Sequence, residues 1–468
     1  MTILISSLLI IPLAGAILSY LLKERLSQAV ALIAAVLVLA MVAGSALFGG
    51  LPQQIDSATA GYIPAINVPI SFSLGGISLV LSLMVSIVGF AAVLAGNHRR
   101  SQVRQANFLA LMLEFSALGL FMAVNLFIFF IFWDIGVAVS FFMIYALGSG
   151  DNRRAALKFL VYSIAASSLL LAAMIALYVY VPSHSLDYSS ISAASGSLPH
   201  LIDIGVIAAL FVAFMIKMPV FPFHSWMADA YSSASTQGSM MISGILSKFG
   251  AYGMLTMFML MAPSSTVAQY ALFIAGISAF YAAFVGMRQL NVKRMAAYTS
   301  MAELGIILVG ISSMSSLGYA GALYGMLAHG ISISLLFLAL GALEYMYGDI
   351  NANMLKGILR DAAATGYTLV VSVFATLGLP LTAGFIADIL IFMGATRTFG
   401  LAGLIPLGAL ILVGAYLFVF INRIFPSDGR LRASQHPSAA NLIGYGALLF
   451  ATFALGILPF VLLNAITL

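Results

Sequence analysis

Apolar runs of about twenty residues recur along this chain from one end to the other, and they restrict its possible folds more than any other feature. A helix of about that length crosses the roughly 30 Å hydrocarbon layer of a bilayer. The composition agrees, because 63% of the 468 residues are hydrophobic and 7% are charged. Length and hydropathy predict an all-α integral membrane protein with about 14 transmembrane helices.

The positions of Lys and Arg predict the topology. The loops 49–74 and 183–202 contain neither residue. The positive-inside rule places the basic segments in the cytoplasm, and both termini then lie on the outer side of the inner or plasma membrane. This topology accounts for the net charge of +5, so we expect no nucleic-acid binding. The basic segments are 23–27, 98–104, 151–154, 288–294, 356–360 and 422–432.

Several sequence features common in redox enzymes are absent from this chain. It has no cysteine, which excludes thiolate-ligated iron–sulfur clusters and disulfides within it. It also has no Gly-rich dinucleotide fingerprint and no P-loop. We therefore expect no cofactor and no metal in this chain, so that any electron carrier or nucleotide belongs to partner subunits.

Seven ionisable residues fall inside the predicted spans. Each would cost roughly 2.5 to 3.5 kcal/mol near the middle of a span unless it is paired, neutralised or hydrated. A hydrated polar path in which carboxylates, amines and an imidazole exchange protons would explain all of them together. The seven residues are Glu114, Asp134, Lys217, Lys248, Glu303, His329 and Asp388.

The chemistry of these side chains predicts their roles in such a path. A buried lysine releases its proton more readily when it is dry, whereas a nearby carboxylate retains that proton. Asp134 is therefore expected to act as the switch for Lys217. Lys248 and His329 would pass the proton onward, since imidazole both accepts and donates near neutral pH. Asp388 would be the exit.

Each of these residues also has a structural interpretation. The two lysines would then form fixed ion pairs or extend to an interface. Asp134 would be a salt-bridge partner, and His329 would be a hydrogen-bonded packing residue. Glu114 and Glu303 lie close enough to span ends to face water. Lys158, at the start of a span, is expected to anchor the positive side.

Prolines interrupt two of the predicted spans. Pro219 and Pro222 in the first half, and Pro380 in the second, each remove a backbone hydrogen bond. Broken helices in corresponding positions of two halves are typical of transporters built from inverted repeats, with the ion site at the breaks. His224 and Asp229, just beyond the first break, are expected to cap or hydrate the broken helix.

Three stretches carry a family resemblance. The stretch KMPVFPFHSWMADAYSSASTQGSMMISGILSKFGAYGML resembles the central signature of the antiporter-like subunits of respiratory complex I. Membrane-bound hydrogenases, F420H2 dehydrogenases and Mrp-type cation/proton antiporters share that signature. NVKRMAAYTSMAELGIILVGI and MLAHGISISLLFLALGAL resemble the next two helices of the family. The resemblance covers residues 75–425 and is closest to the M-type subunit.

The resemblance implies a fold with two inverted five-helix repeats, each containing one broken helix. The first break is expected near 217–225 and the second near 380. The implied segments are an N-terminal three-helix segment, 1–105, a first repeat, 106–262, a second repeat, 263–425, and a C-terminal loop and helix, 426–468.

The resemblance also assigns site residues. Glu114 matches the acidic residue of the fourth helix, and Asp134 matches the glutamate of the fifth. Lys217 matches the lysine at the first break, and Lys248 matches the central lysine of the eighth helix. Asp388 matches the acidic residue at the second break. Aspartate thus replaces the usual M-type glutamate at two of these positions.

At position 303 the departure from the family pattern is larger, because Glu303 stands where many family members carry histidine.

The family implies a translocase subunit that moves protons in a redox-driven, quinone-reducing complex. NADH, or F420H2 or ferredoxin, together with FMN, iron–sulfur clusters and quinone, would be bound by partner subunits. The expected partners are the lipid bilayer, other membrane-arm subunits including further antiporter-like ones, and indirectly a peripheral redox arm. The alternative is a subunit of a secondary cation/proton antiporter or ion-coupled uptake complex without a redox partner.

Overall fold

A computed structural model describes most of the chain. Parts of the predicted basic segments 98–104, 356–360 and 422–432 lie outside the described residues. The same is true of part of the predicted outer loop 49–74 and of residues 426–436 in the predicted C-terminal segment. The described residues are 2–48, 56–63, 68–96, 102–348, 351, 357–425 and 437–466.

Helices dominate the N-terminal half, and the only two strands named in the described residues pair as an antiparallel hairpin. The hairpin lies in the loop 49–74, which the sequence predicts only as a loop. The elements are α1 (Thr2–Leu21), α2 (Glu24–Phe48), β1 (Asp56–Ile63), β2 (Val68–Leu74), α3 (Ile77–Ala95), α4 (Val103–Met122), α5 (Leu126–Leu147), α6 (Asn152–Tyr180), α7 (Tyr188–Ala194), α8 (His200–Lys217) and α9 (Ser225–Ser233).

The C-terminal half continues with helices alone among its described residues. A π-helix, Ile242–Leu246, connects α10 to α11, and a 3₁₀-helix, Gly400–Leu404, follows α17. The elements are α10 (Thr236–Met241), α11 (Ser247–Met261), α12 (Ser265–Met287), α13 (Val292–Ser312), α14 (Ser316–Tyr347), α15 (Ile358–Asp361), α16 (Ala363–Thr376), α17 (Ala383–Phe399), α18 (Leu407–Ile424), α19 (Ala439–Ile457) and α20 (Phe460–Leu463).

The helices confirm the predicted all-α membrane class. Among the described residues, 13 helical segments are long and apolar enough to cross a bilayer, and α16 and α18 are shorter apolar helices. If α16 and α17 are the two halves of one broken span and α18 is a further span, the total is about 14, as predicted. The inverted symmetry of the two repeats stays a prediction.

The first break separates α8 from α9. Helix α8 ends at Lys217, immediately before the segment that contains Pro219 and Pro222. Its last turn leaves carbonyl groups without helical partners, and one of them, on Ile216, accepts a hydrogen bond of 2.9 Å from Trp226 Nε1. The proline-interrupted segment therefore places a lysine at an open helix end inside the bundle.

The second break separates α16 from α17. Gly378 lies in this break with a φ of +63°, a conformation that glycine adopts without strain. A Cβ atom on Gly378 would lie 2.4 Å from Asp388 Oδ2. Glycine at this position therefore lets the carboxylate of Asp388 pack against the backbone of the break.

Helix α14 forms the centre of the bundle. Its membrane-crossing part is completely buried within the chain. It packs against α3 and α10, and also against α13, α16, α17 and α19. Side chains on α14 can therefore contact both predicted repeats.

Candidate functional site

Lys248 and His329 form a direct contact in the middle of the bundle. Lys248 is fully buried, and its Nζ donates to His329 Nδ1 over 2.8 Å. It also donates to the carbonyl of Ser243 over 2.8 Å. When Lys248 is protonated, Nδ1 accepts this bond, and a neutral His329 then carries its proton on Nε2. The pair therefore has the donor and acceptor pattern needed to pass a proton from amine to imidazole.

Local helix geometry brings these two side chains together. The π-helix places the Ser243 carbonyl within reach of a side chain five residues later. Glycines permit a close approach of this segment to α14, since a Cβ on Gly330 would lie 3.0 Å from the Gly244 carbonyl oxygen. A π-bulge is frequent at functional sites because it changes the direction of the following side chains.

Beyond His329 lies a small cavity that two carboxylate side chains also line. They are Glu303 from α13 and Asp388 from α17. The cavity volume is about 10 Å³, close to the minimum space for one water molecule. Glu303 Oε1 and His329 Nε2 find no hydrogen-bond partner among the described residues. The structure therefore groups these predicted residues around a site where one water could connect them.

Lys217 lies in a different environment from Lys248. Its side chain is 1% exposed, and its Nζ has no hydrogen-bond partner in the described part of the chain. Two aromatic rings face the amine instead, with centroids 5.1 Å away for Trp133 and 5.3 Å away for Phe159. A cation at such distances is attracted by the ring quadrupoles. Lys217 is thus held by aromatic faces at the open end of α8.

Asp134 reaches Lys217 indirectly. Its Oδ1 accepts a hydrogen bond of 2.6 Å from Ser167 Oγ, which in turn accepts one of 3.1 Å from Trp133 Nε1. The ring of this tryptophan contacts Lys217. The predicted partners are therefore connected through a serine and an indole.

Glu114 is separate from these groups. It is fully buried, and neither carboxylate oxygen has a hydrogen-bond partner among the described residues. A Cβ on Gly89 of α3 would lie 3.0 to 3.1 Å from the Glu114 carboxyl group. Contrary to the interpretation that Glu114 faces water at a span end, it packs against the backbone of α3.

Asp229 forms an ion-pair cluster that joins three helices. Its Oδ2 lies 2.8 Å from Lys158 Nζ of α6, and its Oδ1 lies 2.8 Å from Arg294 Nη1 of α13. Lys158 is therefore a partner of the broken helix as well as a basic residue near a span start. The sequence indicates Asp229 because it is an acidic side chain next to a break. It does not indicate the two basic partners, which lie 71 and 65 residues away in sequence.

His224 does not cap the broken helix. Its side chain makes no capping hydrogen bond at the start of α9. The imidazole packs instead against the rings of Phe221 and Tyr281, with centroid distances of 5.9 and 4.7 Å. The capping expectation was wrong for this residue because the adjacent ring side chains offer a packing site.

The described residues contain no group of three or more His, Asp or Glu side chains placed to hold a metal ion. The chemistry that this arrangement supports is proton exchange among lysine, imidazole and carboxylate groups. His329 and Lys248 provide one hydrogen-bonded step, and the cavity next to His329 provides access to two carboxylates.

Comparisons with known proteins identify the family of this chain. The family model described as NADH:quinone oxidoreductase/Mrp antiporter, TM, matches residues 123–412. NADH-quinone oxidoreductase subunit M of Rickettsia prowazekii is 32% identical over 362 residues, which cover 76% of this chain and 73% of that protein.

Two solved structures share the fold. A chain of respiratory complex I from Thermus thermophilus with bound NADH matches with a TM-score of 0.90 at 23% identity, covering 99% of this chain and 98% of that one. A chain of the Mrp complex from a Dietzia species matches with a TM-score of 0.85 at 19% identity, covering 100% and 97%. The chain therefore belongs to the NADH:quinone oxidoreductase/Mrp antiporter transmembrane family.

Proposed function

We propose that this chain is a proton-translocating membrane subunit of a redox-driven, quinone-reducing complex of the complex I type. The observation that carries the proposal is the buried Lys248–His329 hydrogen bond beside a cavity lined by Glu303 and Asp388. A fixed structural ion pair would not explain why His329 is the base facing Lys248 and why two carboxylates line the cavity beyond it.

The geometry supports a sequence of proton steps. Protonated Lys248 donates its proton to His329 Nδ1 along their 2.8 Å contact. The imidazole then releases its Nε2 proton to a water in the adjacent cavity, and that water donates to Glu303 or Asp388. Asp388, beside Gly378 at the second break, is the proposed exit. Each group gains one proton and loses one.

Lys217 and Asp134 form the proposed switch that couples this path to its partners. The Ser167 hydroxyl and the Trp133 ring connect the carboxylate to the amine. A change of charge in a neighbouring subunit that moves Asp134 would alter the electric field at Lys217.

We also assign Glu114, buried against α3, to the path, as its place in the family pattern implies. The two breaks would then be equivalent points of the repeats 106–262 and 263–425.

The redox chemistry belongs to partner subunits in this proposal. NADH, F420H2 or ferredoxin would be oxidised there, with FMN, iron–sulfur clusters and quinone bound outside this chain. The name of the Rickettsia relative, an NADH-quinone oxidoreductase subunit, supports a redox-driven complex. By the positive-inside rule, the ends that carry Arg104, Arg153 and Arg294 face the cytoplasm and both termini face outward.

A second candidate function is ion exchange without a redox partner. The family description includes Mrp antiporters, and the Dietzia Mrp chain shares the fold. Purification from native membranes in mild detergent, followed by mass spectrometry of the associated proteins, separates the two functions. Associated subunits with iron–sulfur motifs support the redox-driven complex, whereas a complex of small membrane subunits alone contradicts it.

The proton-translocation proposal is tested by Lys217→Ala in the complete complex. We expect proton translocation to be abolished while the complex still assembles, because Lys217 Nζ makes no hydrogen bond that the fold requires. Proton uptake in proteoliposomes, measured with a trapped pH dye, provides the readout. Lys23→Ala is the control, because this lysine is exposed between α1 and α2. Full proton translocation in Lys217→Ala would contradict its proposed role.

A further inference from the structure

A groove of about 440 Å³ lies between the N-terminal parts of α8 and α12. Its α8 wall includes Asp203, Ile207 and Phe211, and its α12 wall includes Val267 and Tyr270. Spacings of three and four residues place each set on one face of its helix. The two helices belong to different predicted repeats, so the groove lies in the seam between these repeats.

The groove lies at the end of the bundle opposite to the predicted cytoplasmic side. Helix α12 starts beside the groove at Ser265 and ends at Met287, and the basic residue Arg294 follows in the first turn of α13. By the proposed topology the groove therefore faces the outer leaflet. From Asp203 to Phe211 it extends roughly 12 Å along α8, at about 1.5 Å of rise per residue. This length is close to half of the roughly 30 Å hydrocarbon core, the depth that one acyl chain fills.

Polarity changes along the groove. Asp203, Ser264 and Thr266 line its outer rim, whereas Ile207 and Phe211 line its deeper part. A phospholipid has the same order of groups, with a charged headgroup above an apolar chain. The groove therefore matches one lipid that lies parallel to the helices.

The surface next to the groove is apolar. Tyr270 and Phe273 of α12 are 64% and 67% exposed. Tyrosine near the start of a transmembrane helix commonly lies at the level of the lipid headgroups. Acyl chains of the bilayer can thus enter the groove from the side without crossing the protein.

The charge at the rim favours one class of headgroup. Asp203 has no salt-bridge partner among the described residues. The described lining of the groove contains no Lys or Arg, and neither does the preceding loop 183–202. An anionic headgroup would be repelled by the carboxylate, whereas an ammonium group would form a charge-assisted hydrogen bond with it. Ser264 Oγ accepts from the Val267 amide, so its hydrogen is free to donate to a phosphate.

We propose that this groove binds one phospholipid with a primary amine in its headgroup, of the phosphatidylethanolamine class. The ammonium group pairs with Asp203, and the phosphate accepts hydrogen bonds from Ser264 and Thr266. One acyl chain lies against Ile207 and Phe211, and the other stays in the bilayer. The lipid thereby fills the outer half of the seam between the predicted repeats. The inference does not depend on the proton path, which uses none of these residues.

Photocrosslinking in the complete complex tests the proposal. Proteoliposomes of phosphatidylcholine receive a trace of a phosphatidylethanolamine probe or a phosphatidylglycerol probe, each with the same diazirine-bearing acyl chain. After illumination, mass spectrometry measures the labelled fraction of residues 204–211. We expect the phosphatidylethanolamine probe to label this segment about fivefold more than the other probe, the upper range for a partly exposed ion pair. Equal labelling by the two probes would overturn the headgroup assignment.

Variants of Asp203 test the headgroup contact. Asp203→Asn should remove the preference between the probes, and Asp203→Glu should keep it. Asp203 also lies in the first turn of α8, where a negative charge stabilises the helix. Loss of that stabilisation would affect both probes equally, so the ratio reports the headgroup contact alone. Asp151→Asn is the control, since this carboxylate is exposed near the start of α6. An unchanged ratio in Asp203→Asn contradicts the proposal.

A bulky side chain in the groove tests the acyl-chain site. Ala208→Phe places a ring in the groove and should reduce labelling by both probes several-fold. Gly205→Phe is the matched control on the same helix, because nothing lies within 4 Å of a Cβ atom there, and its labelling should equal that of the parent. Unchanged labelling in Ala208→Phe overturns the proposal. Absence of labelling at 204–211 in the parent complex, while exposed Val161 of α6 is labelled, also overturns it, because a neighbouring subunit then covers the groove.

Discussion

The two buried lysines of this protein occupy contrasting sites. Lys248 donates to a carbonyl and to an imidazole, each over 2.8 Å. The Lys217 amine faces the rings of Trp133 and Phe159 and makes no hydrogen bond among the described residues. Both side chains are buried almost completely. The same residue type is therefore integrated into a hydrogen-bond network at one site and left outside such a network at the other.

This contrast indicates different roles. A proton moves readily along an existing hydrogen bond, so Lys248 is suited to transfer. An amine held by ring faces responds strongly to a change in the local field, because no hydrogen bonds oppose its loss of charge. Lys217 is suited to sensing the state of Asp134. The predictions below test whether this division holds.

The largest expected effects come from replacing each lysine by methionine. Both variants should lose proton translocation, because Lys248→Met removes the proposed proton carrier and Lys217→Met removes the proposed switch. Their heat stabilities should differ. Lys248→Met leaves His329 Nδ1 without its partner, at a cost of roughly 1 to 3 kcal/mol, and it removes one of the two side-chain hydrogen bonds to the Ser243 carbonyl. Lys217→Met breaks no hydrogen bond and should stay within about 1 kcal/mol of the parent.

Heating the detergent-solubilised complex and measuring the fraction that stays assembled by size-exclusion chromatography compares the two variants. Lys23→Met serves as the exposed control. Equal losses of heat stability in Lys217→Met and Lys248→Met would show that the hydrogen bonds of Lys248 do not stabilise the protein more than the ring contacts of Lys217 do.

A smaller effect is expected from Ser167→Ala, which acts on the Lys217 site alone. It removes the 2.6 Å hydrogen bond to Asp134 and the acceptor for Trp133 Nε1. A hydrogen bond to a charged group contributes roughly 1.5 kcal/mol or more, which corresponds to about a tenfold slower proton uptake if the switch depends on it. Initial rates in proteoliposomes measure the change.

Ser163→Ala, one helical turn earlier on α6, is the matched control and should transport normally. Uptake by Ser167→Ala at the parent rate would mean that Asp134 controls Lys217 by another route, or not at all.

The sequence predicts the membrane class and the burial of charge better than it predicts side-chain pairing. Hydropathy identified the spans, and the same apolar context identified ionisable residues that the fold does bury, such as Lys217, Lys248 and His329. These predictions succeed because each depends on a local property, namely the cost of a charge in hydrocarbon.

The details of side-chain contact depend on rotation about each helix axis and do not follow from the sequence. Successive residues on α5 differ by about 100° in direction, so Trp133 presents its ring to Lys217 while its neighbour Asp134 accepts a hydrogen bond from Ser167. The sequence does not indicate the π-helix before Lys248, yet this helix places the Ser243 carbonyl beside the amine.

The smallest effect is expected at the Asp229 cluster, which joins the helices of both predicted repeats without touching either buried lysine. The side chains of Lys158, Asp229 and Arg294 are 31 to 37% exposed, and each such ion pair contributes about 1 kcal/mol or less. Asp229→Asn should therefore lower heat stability slightly and change proton uptake less than about twofold, and added salt should reduce the difference because it screens exposed charges. Asp151→Asn is the control, since its pair with Arg154 spans 4.0 Å and is mostly exposed. A loss of uptake in Asp229→Asn as large as that in Ser167→Ala would instead place a third functional group at the first break.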